Sequence, residues 1–253
     1  MRLIINADDF GLTPGVSKGI IKAMKEGVVS DTSMIVNSPY FKESTILAKE
    51  QGLLQLGIHL SLTTYNPILP PNEIPTLVDL DGKFHKDISY ILDNSFSMDE
   101  VEKELRGQIN KFLSSGLKLN HISGHHQFYG YNEDIHNILI SLAHEFNVPL
   151  RSVNDDLRIK IYQNNVKTTN YFSTSFHNEG VTSENLLRIL EDFREEKLTL
   201  EIMTHPAIVD DELNSISHYN LMRSRELELL TSYRIKQYIK NASNIELISF
   251  SEL

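Results

Sequence analysis

The 253-residue chain contains no cysteine, which excludes disulfides, thiolate-bound zinc, iron–sulfur clusters and cysteine nucleophiles. Any metal must therefore sit on histidine and carboxylate ligands. An excess of positive charge is also missing: 24 Lys and Arg stand against 34 Asp and Glu, a formal charge of −10, so a nucleic-acid backbone is not an expected partner. No window holds about 18 consecutive apolar residues, and no membrane span is expected. The N-terminus reaches Asp8 and Asp9 too soon for a signal peptide, so the expected location is cytoplasmic. Composition shifts, internal repeats and low-complexity tracts are absent, which leaves a single domain over residues 1–253. Hydrophobic residues at 40% and charged residues at 23% supply a full core and exclude disorder.

What is present is an alternation of strand and helix patterns. Leu3 to Asn6, Thr32 to Val36, Leu54 to Leu62, Leu117 to Ile122, a short piece around Pro149 to Arg151, Leu198 to Met203 and Ile245 to Phe250 read as strands. Between them, Gly15 to Glu26, Tyr40 to Gln51, a stretch capped at Ser97 and running to Gly116, Asp134 to Phe146, Ser183 to Glu195 and Tyr219 to Ile239 carry helical apolar spacing. About seven β–α units predict an α/β fold with a parallel barrel. Thr64 to Ser97 and Ser152 to Thr182 interrupt the rhythm as long loops, expected to form substrate walls at the active-site face.

Four segments carry chemistry. Asn6-Ala7-Asp8-Asp9-Phe10-Gly11 runs an apolar strand into two adjacent carboxylates, which suits a cation ligand beside a general base but also an ordinary Asp-capped turn. His59 lies inside an apolar strand, as a ligand or as a core histidine. Three of the ten histidines crowd into His121, His125 and His126. Glu201, Met203 and His205 alternate onto one face before Pro206, and His205 reads as a proton donor or as a surface residue before a turn. Each segment sits where a strand hands over to a loop, the active-site edge of a parallel barrel. One Asp and two His suit a divalent ion acting as Lewis acid and water activator, and the spare carboxylate favours hydrolysis over oxygenase chemistry.

In this order the segments resemble the YdjC-like carbohydrate deacetylases. The likeness also runs through Gly27 to Ser33, Glu104 to Gln108, Pro149-Leu150-Arg151, and Tyr219 followed by Arg223-Ser224-Arg225-Glu226-Leu227. It implies a TIM-like (β/α) barrel with irregular closure and long active-site loops. It further implies a divalent metal, Mg²⁺ by family likeness with Zn²⁺, Co²⁺ or Mn²⁺ as alternatives, held by Asp9, His59 and His125. Asp8 is then the base, His205 the acid that protonates the leaving amine, and Arg151 the residue that orients Asp8 or pairs with Asp155 or Asp156 in its loop. Gln127, Phe128 and Tyr129 fall on the substrate side, although the two aromatics would equally serve as packing. The expected substrate is a small acetylated amino sugar, a short chitooligosaccharide such as diacetylchitobiose; a homodimer is the base-rate expectation for assembly.

Two positions depart from the family pattern. Ser123 stands where relatives carry Asp, and Gln127 where they carry His. A carboxylate at 123 would have fixed an imidazole tautomer, so metal affinity or choice is expected to differ. Two other readings compete: hydrolysis of another amide or a phosphoester, disfavoured by the lack of a Gly-rich phosphate cradle or Arg cluster, and a non-catalytic sugar-binding protein.

Overall fold

A computed structural model describes residues 1–92, 95–193 and 197–253. Its strands are β1 (Arg2–Phe10), β2 (Asp31–Met34), β3 (Gln55–Leu60), β4 (Lys118–Gly124), β5 (Tyr171–Ser173), β6 (Thr199–Thr204) and β7 (Glu246–Leu247). The helices are α1 (Pro14–Glu26), α2 (Phe41–Glu50), α3 (Ser89–Leu92), α4 (Met98–Ser114), α5 (Glu133–Glu145), α6 (Asp155–Gln163), α7 (Ser183–Asp192), α8 (Asp211–Ile216), α9 (Leu221–Leu230) and α10 (Tyr233–Asn241). The sheet runs β4-β3-β2-β1-β6-β5, with β7 joining β1 at Arg2 and Leu3, and every pairing between these strands is parallel. The expected α/β fold with a parallel sheet is therefore present. Central β1 is buried from Leu3 onward because both of its faces are covered, which a parallel sheet between helices requires.

Single hydrogen bonds tie the segments that connect β4 with β6. Ile122 in β4 bridges Leu150, the Leu150 N–H donates to the Lys167 carbonyl, and the Asn170 N–H donates to the carbonyl of Thr199 in β6. The piece around Leu150 makes an isolated bridge and no ladder, so what the strands form is a parallel sheet, and the TIM-like barrel of irregular closure stays an expectation of the sequence. One consequence matters for chemistry. Because the strands run parallel, the carboxyl ends of β1, β3, β4 and β6 share one edge of the sheet.

Several elements differ from their sequence patterns. The long helix expected from Tyr219 to Ile239 is two helices, α9 and α10, because Ser232 stops the first and caps the second through its side chain, which accepts from the Ile235 N–H. Ser97 precedes α4 but makes no side-chain cap; its N–H instead donates to Thr76 Oγ1, tying the helix start to the loop. The strand expected to run to Phe250 covers only Glu246–Leu247, and Phe250 begins a 3₁₀ turn. The polar stretch Ser152 to Thr182 holds α6 and β5, the helix capped by Asn154. The end expected for α7 at Glu195 lies outside the described residues.

The family-like pair Glu104 and Gln108 on α4 serves the loop that follows β3. Glu104 accepts from the N–H groups of Ile68 and Leu69 at 2.9 and 3.0 Å, and Gln108 exchanges bonds with both the N–H and the carbonyl of Ser61. Burial raises the Glu104 pKa, against these bonds. Among the described residues, no helix is long and apolar enough to cross a membrane.

Candidate active site

Asp8 and Asp9 lie at the carboxyl end of β1, both buried. Asp9 adopts φ 73°, in the left-handed region that Asp tolerates better than most residues, and Gly11 follows at φ 90°. A Cβ on Gly11 would stand 3.0 Å from the Ile35 carbonyl, so this turn needs glycine. The consequence is that two adjacent carboxylates acquire different partners instead of repelling across one spot.

Asp8 belongs to Arg151. The fully buried guanidinium meets both Asp8 oxygens at 2.6 and 2.7 Å and sends Nε to Glu201 Oε1 at 2.7 Å. Asn6 adds a bond to Asp8 Oδ1 at 2.7 Å. Burial alone would raise the Asp8 pKa, but Arg151 outweighs it and holds this carboxyl well below the usual carboxylate range. Glu201 is pushed up by burial to about 7. Arg151 thus chooses Asp8 and Glu201; Asp155 pairs instead with Arg158.

Asp9 belongs to the histidines and to Arg223. Its Oδ1 lies 2.9 Å from His125 Nδ1 and 3.4 Å from His59 Nε2, while Oδ2 takes the Arg223 guanidinium at 2.6 Å. One carboxylate oxygen is anchored and the other faces two imidazoles. Asp9, His59 and His125 offer ligand atoms within 4.8 Å of one another, all three residues buried. Burial, opposed by the two Asp, lowers the His59 pKa to about 4 and keeps its ring neutral, as a metal ligand requires. A buried set of one carboxylate and two imidazoles fits a divalent ion, and its chemistry leaves the ion's identity open.

The Ser123 departure has a structural answer. Ser123 Oγ stands 2.8 Å from His59 Nδ1 and Ser33 Oγ 3.2 Å from the same atom, so two hydroxyls orient the ring. This leaves His59 Nε2 toward Asp9. Ser123→Ala should weaken metal binding about 10-fold, because partners of a ligating imidazole typically carry that much. Isothermal titration with the ion checks it, and unchanged affinity would mean that Ser33 alone suffices.

His121 is not part of the set. Its ring stacks on Phe250 at 3.9 Å and fits against Gly57, where a Cβ would come within 2.2 Å of the imidazole. His126 bonds Thr63 Oγ1 at 3.0 Å, and its φ of 56° with 51° at Gln127 kinks the chain just after His125. The kink sorts the expected substrate residues. Gln127 lines the cleft, whereas Phe128 and Tyr129 are fully buried, the Tyr129 hydroxyl donating to the Arg151 carbonyl at 2.9 Å. The exposed aromatic on the cleft wall is Tyr131, 57% accessible.

The cleft has a volume of about 740 Å³ and is lined by Asp8, Asp9, His59, His125, His205 and Arg223 among others. Both long interruptions contribute to its wall, the first through Lys86, Asp87 and Ile88 and the second through Thr174 and His177. His205 follows β6 directly and is no surface residue, its side chain being 13% accessible. Burial, then Arg223, lowers its pKa to about 3. Beside it stand His177, Tyr219 and Glu226, and burial pushes Glu226 up to about 8. Sequence spacing gives these three no role, nor Ser33, Asn6 or Arg223. Tyr219, Arg223 and Glu226 lay within its family likeness, but β1 and α9 are too distant in sequence for spacing to pair them.

An α/β chain with a carboxylate–imidazole set at the carboxyl edge of a parallel sheet has the form of a hydrolase whose site could hold a metal ion. The YdjC-like protein family matches residues 2–241, and the chain belongs to this family. A carbohydrate deacetylase of Brevibacillus brevis is 39% identical over 254 residues, covering 100% of both chains. One from Thermoanaerobacter pseudethanolicus is also 39% identical, over 99% of this chain and 98% of its own. The solved structure of an Enterococcus faecalis protein, described as a cellobiose-phosphate cleavage protein, superposes with a TM-score of 0.93 at 35% identity, covering 99% of this chain and 98% of that one.

Proposed function

We propose that this carbohydrate deacetylase removes the acetyl group from the nitrogen of an acetylated amino sugar, a short chitooligosaccharide such as diacetylchitobiose, with a divalent metal on Asp9, His59 and His125. The observation that carries the reading is the division of labour between the two Asp: Asp9 faces two imidazoles while Asp8 is held apart by Arg151. A divalent ion bound there would polarise the acetamide carbonyl and acidify a water molecule.

Asp8, kept ionised by Arg151, is the acceptor for a water proton. His205 supplies the proton that the leaving nitrogen needs, since an amine departs poorly without one. Arg151 acts through Asp8, with its second carboxylate, Glu201, fixing the guanidinium plane. A single domain, a cytoplasmic location consistent with the lack of cysteine, and Mg²⁺ as the resident ion complete the reading.

On the substrate side Gln127 offers an amide to sugar hydroxyls, and Tyr131 offers a ring face. Tyr131→Ala should raise KM about 5- to 10-fold with kcat nearly unchanged, the mark of a contact made equally in ground and transition states. Steady-state kinetics on diacetylchitobiose checks this; a fall in kcat alone would place Tyr131 elsewhere. The reading as a whole is tested by acetate release from that sugar, which EDTA should abolish. Bound metal without acetate release from any N-acetyl sugar would favour another amide or a phosphoester, and sugar binding without turnover a non-catalytic protein.

A further inference from the structure

The cluster next to the metal set has unspent hydrogen-bonding capacity. Glu226 of α9 is fully buried; its Oε2 accepts the His205 main-chain N–H at 2.5 Å and its Oε1 bonds the Tyr219 hydroxyl at 2.5 Å. The same Oε1 stands 3.9 Å from His205 Nδ1. Among the described residues that buried Nδ1 has no hydrogen-bond partner, and neither has His177 Nδ1 nearby. The His177 ring lies 5.4 Å from His205 and 4.1 Å from Tyr219. An orphaned ring nitrogen one small rotation from a carboxyl is costly unless the pair is used.

We propose that Glu226 is the proton partner of His205: it fixes the imidazole with Nε2 toward the cleft and delivers a proton to Nδ1 as Nε2 gives one up. The proposal rests on the reading of His205 as the acid of an amide hydrolysis. A neutral imidazole that donates from Nε2 must gain a proton at Nδ1, and Glu226 is the carboxyl within reach. The water oxygen bonds to the acetyl carbon, the C–N bond breaks, and its electron pair stays on nitrogen. The water proton goes to Asp8; nitrogen takes the His205 Nε2 proton; Nδ1 takes the Glu226 proton. Asp8 then passes its proton through solvent to His205 Nε2, and Nδ1 returns its proton to Glu226, which restores all three groups. Tyr219 and His177 hold the carboxyl and ring in place, and Glu226 is accordingly a positioning residue that touches no substrate.

His177, His205 and Glu226 also lie close enough together to hold a second cation. Two features disfavour that use. Both Glu226 oxygens are already bonded, and the Arg223 guanidinium lies beside the cluster, adding positive charge where an ion would need to enter.

The test compares the metal-loaded wild type with Glu226→Gln on two probes, diacetylchitobiose and p-nitrophenyl acetate. Glutamine can still accept from the His205 N–H and donate to the Tyr219 oxygen, but it cannot hand over a proton. Acetate release from the sugar should fall about 100-fold. Cleavage of the aryl ester, whose phenolate departs without a proton, should fall far less, and Glu226→Asp should recover part of the sugar activity. Equal losses on both probes, or no loss on the sugar, would overturn the proposal. So would equilibrium dialysis showing two ions per chain in the wild type and one in Glu226→Gln. A wild type inactive on every N-acetyl sugar would instead overturn the deacetylase reading on which the proposal stands.

Discussion

Asp8→Asn should bind the metal as the wild type does and release acetate about 10³-fold more slowly, because it removes the base and leaves the ligands. Asp9, His59 and His125 contact one another without help from Asp8, apart from a 3.9 Å approach between His59 Nε2 and Asp8 Oδ2. The substitution breaks one arm of a buried ion pair, so thermal unfolding should also report a loss of about 3 kcal/mol, with Glu201 remaining as the carboxylate for Arg151. Activity of the wild type should not decline through protonation of Asp8 at mildly acidic pH. Arg151 keeps the folded-state pKa below the unfolded one, so this group's contribution to stability is present above the unfolded pKa and fades only as pH falls toward the depressed value. Metal loss from Asp8→Asn equal to its loss of activity would refute the division of roles.

His125→Ala should lose the metal itself. It removes one of two imidazoles and the partner 2.9 Å from Asp9 Oδ1, leaving one histidine beside a carboxylate whose other oxygen is committed to Arg223. Metal analysis of the dialysed variant should find no stoichiometric ion, and acetate release should vanish with it. Full occupancy would remove His125 from the ligand set. The two variants form a pair, one losing activity with metal retained, the other losing both.

Much of this site was legible in the sequence because strand ends announce themselves. An apolar run that turns into Asp8-Asp9, or that carries His59 and then stops, breaks the hydrophobic pattern at the point where a parallel sheet exposes its carboxyl edge. The turn after His125 was harder to read. The family likeness puts Phe128 and Tyr129 on the substrate side, but two consecutive left-handed residues, His126 and Gln127, redirect the chain and send both rings into the core. Neither residue is glycine, so the sequence carries no marker for the kink.

Partners across the fold were hidden for a different reason. Glu226 approaches His205 and Arg223 approaches Asp9 from a helix more than 200 positions downstream of β1 in the latter case, and no local spacing encodes such meetings. The helix inside the polar stretch was more accessible. Asn154 followed by Asp155 and Asp156 has the form of an N-cap with an acidic first turn, and its side chain does accept from the Leu157 N–H.

The most direct test of the central claim is acetate release from diacetylchitobiose by protein stripped with EDTA and reloaded separately with Mg²⁺, Zn²⁺, Co²⁺ and Mn²⁺. The account predicts no release from the stripped protein and restored release with at least one ion, abolished again in His125→Ala. Release that persists undiminished after the metal is removed would contradict it.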